Sequence, residues 1–188
     1  MAIEESRYNV IEQSGDFELR QYLPKIIAET EVSGSLDDAS SAGFRLIADY
    51  IFGNNTLPTG GGNEKISMTA PVIMEAQSKK ISMTAPVIME KSDGRWRMHF
   101  VMPSQYTMAT LPKPNNPAVM LREIPSQRFA VIRFSWLAGE EKVANKTTVL
   151  LAWMKEKGIM PKGSPALARY NPPWTLPFLR RNEIMVMY

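Results

Sequence analysis

Chemistry on a polypeptide needs side chains that attack, move protons or hold a metal, and this sequence is sparing with them. Cysteine is absent from its 188 residues, and histidine occurs once, as His99. These two counts exclude disulfides, thiolate nucleophiles, iron–sulfur clusters and a zinc site of the usual His/Cys kind. No nucleophile–base pair is evident in the remaining residues. Sulfur is present in another form, as 13 methionines, whose flexible, polarisable thioethers fill cores or line deformable pockets for flat apolar ligands.

Four of those methionines belong to a duplication. Lys-Ile-Ser-Met-Thr-Ala-Pro-Val-Ile-Met-Glu occupies residues 65–75 and again 80–90, with only Ala76, Gln77, Ser78 and Lys79 between. Within each copy apolar and polar residues alternate, the period of a half-buried strand, with Ile73 as the exception in the first. A hairpin between the copies would place Ile66 opposite Met89, Val72 opposite Met83 and Met74 opposite Ile81, making one apolar wall. Pro71 and Pro86 cannot donate to a ladder, so each is expected at an edge or a bulge, where the strand bends. The wall has two readings: packed core, or a surface offered to a planar ligand, with Met68 or Met83 in reach of a metal.

The elements that must position these residues are legible along the chain. Tyr8 to Gln13 and Phe17 to Tyr22 read as a hairpin about Ser14-Gly15-Asp16, followed after Pro24 by a third strand to Val32. Ser35 is a helix N-cap with Asp37 and Asp38 in the first turn, and Phe44, Ile47, Tyr50 and Ile51 recur until Gly53. Thr59 to Asn63 is a glycine-rich loop without the Gly-Lys-Ser/Thr of a phosphate cradle. Trp96, Met98, Phe100 and Met102 share one strand face, with Arg97 and His99 on the other. Strands from Val119 and Arg128 precede a second helix from about Gly139 to Lys157, stopped by Gly158. Strand, turn, strand, helix and glycine thus occur twice, from Ile27 to Gly53 and from Val131 to Gly158, which suggests one domain of two similar units.

Composition bounds the function. With 44% hydrophobic and 22% charged residues the chain is globular, and no apolar run reaches the length of a bilayer span. The net charge of +3 is dispersed, which is no electrostatic footprint for nucleic acid. The first residues have neither a basic start nor an apolar core of the export-signal type, so a cytoplasmic protein is expected.

The chain resembles the SOUL family of haem-binding proteins from Tyr8 to Tyr188. The resemblance is carried by Gly43-Phe44 with Tyr50-Ile51, both copies of Lys-Ile-Ser-Met-Thr-Ala-Pro-Val, Phe100-Val-Met-Pro-Ser-Gln-Tyr-Thr107, Leu111-Pro-Lys-Pro114 and Asn182-Glu183. Leu167 to Glu183 is similar to the tail of the bacterial branch. The resemblance implies a single α+β domain over 1–188, its halves about 8–90 and 95–188. These would form a distorted eight-stranded antiparallel sheet or barrel with two flanking helices. It further implies non-covalent haem or a related tetrapyrrole in a hydrophobic groove beside the first helix. By position, Phe44, Ile47, Tyr50 and Ile51 would be its wall, Met68 and Met83 its sulfur contacts, and Arg45, Lys65 and Lys80 the partners of the propionates. Where some animal members have a proposed axial histidine, this chain has Gln21, so the iron would be unligated by protein, held by Met68 or Met83, or served by His99. Without a strong ligand, affinity must come from burying porphyrin faces, which points to micromolar binding.

Three functions follow. The first is a soluble tetrapyrrole carrier or buffer without catalysis. The second is a hydrolase or sequestering protein for another hydrophobic small molecule, as in gyrase-inhibitor-like folds, which would need Glu123 or Glu183 in the cleft with a raised pKa and an aromatic neighbour. The third is an interaction protein that docks through Pro112 to Pro117 or Pro172 to Pro177.

Overall fold

The computed structural model describes residues 4–76, 95–172 and 174–188. Nine strands form one antiparallel sheet: β1 (Tyr8–Ser14), β2 (Phe17–Tyr22), β3 (Lys25–Ser33), β4 (Val72–Ala76), β5 (Arg95–Val101), β6 (Met120–Ile124), β7 (Gln127–Phe134), β8 (Ala166–Arg169) and β9 (Asn182–Met187). Helix α1 (Leu36–Ile51) follows β3, and α2 (Glu140–Glu156) follows β7. Across the sheet the order is β6-β3-β5-β4-β8-β9-β7-β2-β1. The α+β architecture expected from the resemblance is present, with β1 added at an edge to the eight strands of the two halves. Among the described residues no helix is long and apolar enough to cross a membrane.

The two halves repeat about the boundary between β4 and β8, where β3, β5 and β4 on one side answer to β7, β9 and β8 on the other. Their outer strands are exchanged: β6 of the second half pairs with β3, and β2 of the first half pairs with β7. Leu23 and Pro24 alone join β2 to β3, a link that can span at most about 11 Å. Yet these strands stand eighth and second in the sheet, so the sheet must curl until its ends approach. Ser126, in the equally short link between β6 and β7, donates from Oγ to the Tyr22 carbonyl at 2.8 Å and fastens the two links together.

Both faces of the curled sheet are covered. On the helix side Met74, Met98, Phe100, Ile132, Leu167 and Ile184 pack with Ile47 and Ile51 of α1 and with Leu150 and Met154 of α2. On the far side Tyr22, Ile73, Val131, Ala168, Tyr170 and Met185 form a second cluster. Ser35 caps α1 as expected, its Oγ accepting from the Asp38 amide at 3.2 Å. The β1–β2 hairpin also forms, with Gly15 in the left-handed region at φ 59°.

The first copy of the duplication does not run as one strand. It breaks at Pro71, which has no amide hydrogen to give, into a two-residue pairing of Thr69–Ala70 with Glu4–Glu5 and the longer β4. The even-numbered Ile66, Met68, Val72 and Met74 belong to the helix-side core on both sides of this break, whereas Ala70, beside Pro71, and Ile73 belong to the far-side cluster. Ile73, the exception to the alternation, is therefore buried on the face that reads as polar. Over residues 72–75 both edges of β4 are taken, by β5 and by β8. The expected pairing of Val72 and Met74 with the second copy therefore has no open edge to use. The second copy itself, including Lys80 and Met83, lies outside the described residues.

Candidate functional site

Helix α1 lies against β3 and β5, and Gly43 makes that approach close. A Cβ added there would stand 3.0 Å from Met98 Sδ and 3.2 Å from Met98 Cβ. The apolar stripe of α1 is consequently the face it buries: Ile47, Tyr50 and Ile51 are each 1% exposed or less. Tyr50 donates its hydroxyl to the Pro112 carbonyl at 2.8 Å, and burial pushes its pKa up, so it remains a donor. Just beyond α1 the chain returns as a strap. The Ile66 amide donates to the Ile51 carbonyl at 2.8 Å, and Asn55 Nδ2 donates at 2.8 Å to the carbonyls of both Tyr50 and Glu64.

Of the residues assigned by position to a ligand groove, the structure thus presents some and encloses others. Phe44 is 37% exposed on the flank of α1, its ring 5.5 Å from that of Phe100. Arg45 and Lys65 are exposed, and Met68 is half-buried against the helix-side core. Neither cation is drawn into an ion pair among the described residues. Ile47, Tyr50 and Ile51 stand behind Phe44 as interior support rather than open wall. The sequence stripe could not separate these roles, because apolar residues at helical spacing mark the buried face whether or not a ligand sits beside it.

A second constellation occupies the far side of the sheet. Arg20 on β2 and Glu183 on β9 are paired twice, Nη1 to Oε2 at 2.7 Å and Nη2 to Oε1 at 3.0 Å. Arg20 also donates to Glu18 at 2.7 Å and to the Tyr22 hydroxyl at 3.0 Å. Glu183 further accepts from Tyr170 at 2.8 Å and from Arg181 Nε at 2.9 Å. The two guanidiniums lie over aromatic faces, Arg20 4.3 Å from the centre of Tyr8 and Arg181 3.8 Å from that of Tyr170. Burial pushes the Glu183 carboxyl up, but hydrogen bonding and charge from Arg20, then the charge of Arg181, more than offset it and hold the group below the usual carboxylate range. Burial pushes Tyr22 up to about 12. Glu183 therefore meets two requirements of the hydrolase reading, burial and aromatic neighbours, but has the opposite of the raised pKa. Glu123 is exposed on β6.

The fit of a haem group turns on ligands and counter-charges. His99 faces the far side, away from Met98 and Phe100, with Glu29 and Ile73 as its strand neighbours. Its Nδ1 is buried without a hydrogen-bond partner, and burial, then Lys25, Arg122 and Arg97, pull its pKa down to about 3, so the imidazole is neutral. That state suits a metal ligand, but the ring is on the side of the sheet opposite α1. Gln21, at the position of the proposed axial histidine, donates to Ser126 Oγ at 3.2 Å. Among the described residues no group of three or more His, Cys, Asp or Glu side chains could cage an ion. Phe44, Met68, Arg45 and Lys65 are of the types that a tetrapyrrole's faces and propionates take, an apolar ring, a thioether and two cations.

Comparison with known proteins gives the same direction. Among solved structures, the EcmrR C-terminal domain superposes with a TM-score of 0.65 at 11% identity, covering 96% of each chain. A crystal structure of a hydrolase from Listeria innocua gives 0.58 at 10% identity, covering 94% of this chain and 93% of that one. At such identities these likenesses establish the fold and nothing more. None of the curated proteins compared with the chain matches it. The profile described as SOUL heme-binding protein matches residues 3–80 and again 74–187, two segments that meet at the duplication and together cover almost every residue. The chain belongs to the SOUL haem-binding protein family.

Proposed function

We propose that the protein binds haem or a related tetrapyrrole without covalent attachment and acts as a carrier or buffer rather than as a catalyst. Family membership along both halves carries this reading. The open flank of α1 supports it: Phe44 and Met68 offer apolar contact, and Arg45 and Lys65 offer cations for two propionates. By repetition Lys80 and Met83 would serve the same roles. Ile47, Tyr50 and Ile51 keep the helix rigid beneath. A hydrolase built on Glu183 would need that carboxyl free to take up or release a proton near neutrality, and Arg20 and Arg181 hold it ionised.

Titration with hemin, followed in the Soret band, tests the reading. A saturable shift near one equivalent is expected, unchanged in Gln21→Ala and weakened about tenfold in Arg45→Glu with Lys65→Glu, as the loss of two charge-assisted contacts implies. Absence of a saturable shift overturns it.

A further inference from the structure

Residues 174–181 and the turn after β7 hold a set of large apolar side chains out into water. Trp136, Leu137, Trp174, Leu176, Phe178 and Leu179 are between 55% and 83% exposed. They are not loose. The Trp136 amide donates to the Pro177 carbonyl at 2.9 Å, and Asn182 Nδ2 donates to the Trp136 carbonyl at 2.8 Å. Arg180 Nε fixes the Thr175 carbonyl at 2.8 Å, and the Arg181 amide fixes Asn171 Oδ1 at 2.6 Å. Trp136 itself sits in the left-handed region at φ 77°, the only non-glycine residue there among the described ones, a conformation unfavourable for a bulky residue. A chain that only needed to cross this corner would have no reason to fasten six greasy side chains outward.

The concavity on one side of the patch is basic, while the first turn of α2, next to the turn 135–139, carries Glu140 and Glu141. The shallow concavity bounded by Trp136, Phe178 and Leu179 is also bounded by Arg133, Lys142, Lys146 and Arg180, against a single carboxylate, Asp16. Arg181, at its edge, is committed to Glu183 and Glu5. Tryptophan and phenylalanine beside long cations are what the boundary of an anionic bilayer takes up: rings enter the headgroup layer, while lysine and arginine stems lie along it with their charges on phosphates.

We propose that this corner, formed by the turn 135–139 and residues 174–181, is a docking surface for an anionic phospholipid membrane. The charge imbalance selects that occupant over a second copy of the chain, whose own patch would bring like charges together. Docking here does not depend on tetrapyrrole binding.

Sedimentation with vesicles of phosphatidylcholine, and of phosphatidylcholine partly replaced by phosphatidylglycerol, tests it on the full chain. Binding to the anionic vesicles alone is expected, falling with added salt. Lys146→Gln and Arg133→Gln should each lower partitioning about fivefold, and Trp174→Ser with Phe178→Ser about tenfold or more. Arg133, Trp174 and Phe178 are exposed and Lys146 is half-buried, so the melting temperature should stay put and the hemin titration should not change. Equal binding to neutral and anionic vesicles overturns the proposal, as does no binding to either. A dimer that dissociates on Trp174→Ser and ignores vesicles overturns it too, in favour of self-association.

Discussion

Arg20 and Glu183 meet across one intervening strand, with Arg20 Nη1 2.7 Å from Glu183 Oε2 and side chains 1% and 0% exposed. Such a pair is far costlier to break than to omit, since a lone buried charge has no water to replace its partner. Glu183→Gln should therefore lose about 3–5 kcal/mol in urea unfolding. Arg20→Met combined with Glu183→Leu should recover most of that loss. Because the folded carboxyl titrates below its ordinary value, its contribution is whole above about pH 4.5 and is lost as pH falls through the folded pKa. Equal destabilisation in the single and double variants would refute this account.

His99 predicts a second acid sensitivity, at higher pH. Its pKa falls from 6.5 in the unfolded chain to about 3 when folded, so the unfolded state takes up the proton first. Stability from keeping the ring neutral is complete above pH 6.5 and declines towards pH 3, by about 1.4 kcal/mol per unit below 6.5. Glu75, whose carboxyl burial pushes up, acts in the opposite sense nearby. The comparison to make is wild type against His99→Gln, melted at pH 7.5 and at pH 5. The variant should lose less on acidification.

The duplication makes the sheet tolerant of losing either copy. Residues 80–90 repeat the sequence of 65–75 at a spacing of 15, and every ladder position of β4 except Ala76 has an identical residue in the second copy. Removing 80–94 leaves Gln77, Ser78 and Lys79 to connect β4 to β5, a length natural to hairpins. Removing 65–79 places the identical second copy in the same sequence context, with Lys91 in place of Ala76. Both deletions should fold, with unfolding free energies within about 2 kcal/mol of the parent, since the shorter connection lowers closure entropy slightly. A deletion that melts like a protein missing a central strand would contradict this.

Gly43→Ala tests the close packing of α1. Alanine favours a helix over glycine by about 1 kcal/mol, but its methyl group would press on Met98, including the Cβ at 3.2 Å, which cannot swing aside. Overpacking of this sort costs about 1–3 kcal/mol, so a lower melting temperature is expected. Ser41→Ala, on the exposed side of the same helix, serves as the control and should not fall.

The sequence was enough for the local structure, because local structure is written in short-range patterns. Ser35 with Asp38, the positive-φ glycines at 15 and 158, and the alternation of Trp96 to Met102 each announce a cap, a turn or a face within a few residues. The family motifs, dense around residues 65–90 and 100–114, likewise identified the kin of the chain. Partnership was not legible. Alternation in β4 distinguishes its two faces but cannot tell that both are buried, so Ile73 breaks the sequence pattern although it packs with Val131 and Ala168 in the far-side cluster. Nor could spacing reveal that β2 and β3, two residues apart, stand near opposite ends of the sheet, or that Arg20 would find Glu183 in the last strand. Those pairings depend on how the sheet curls, and curling is decided by the packing of the whole chain, with Leu23-Pro24 and Pro125-Ser126 too short to allow any other closure.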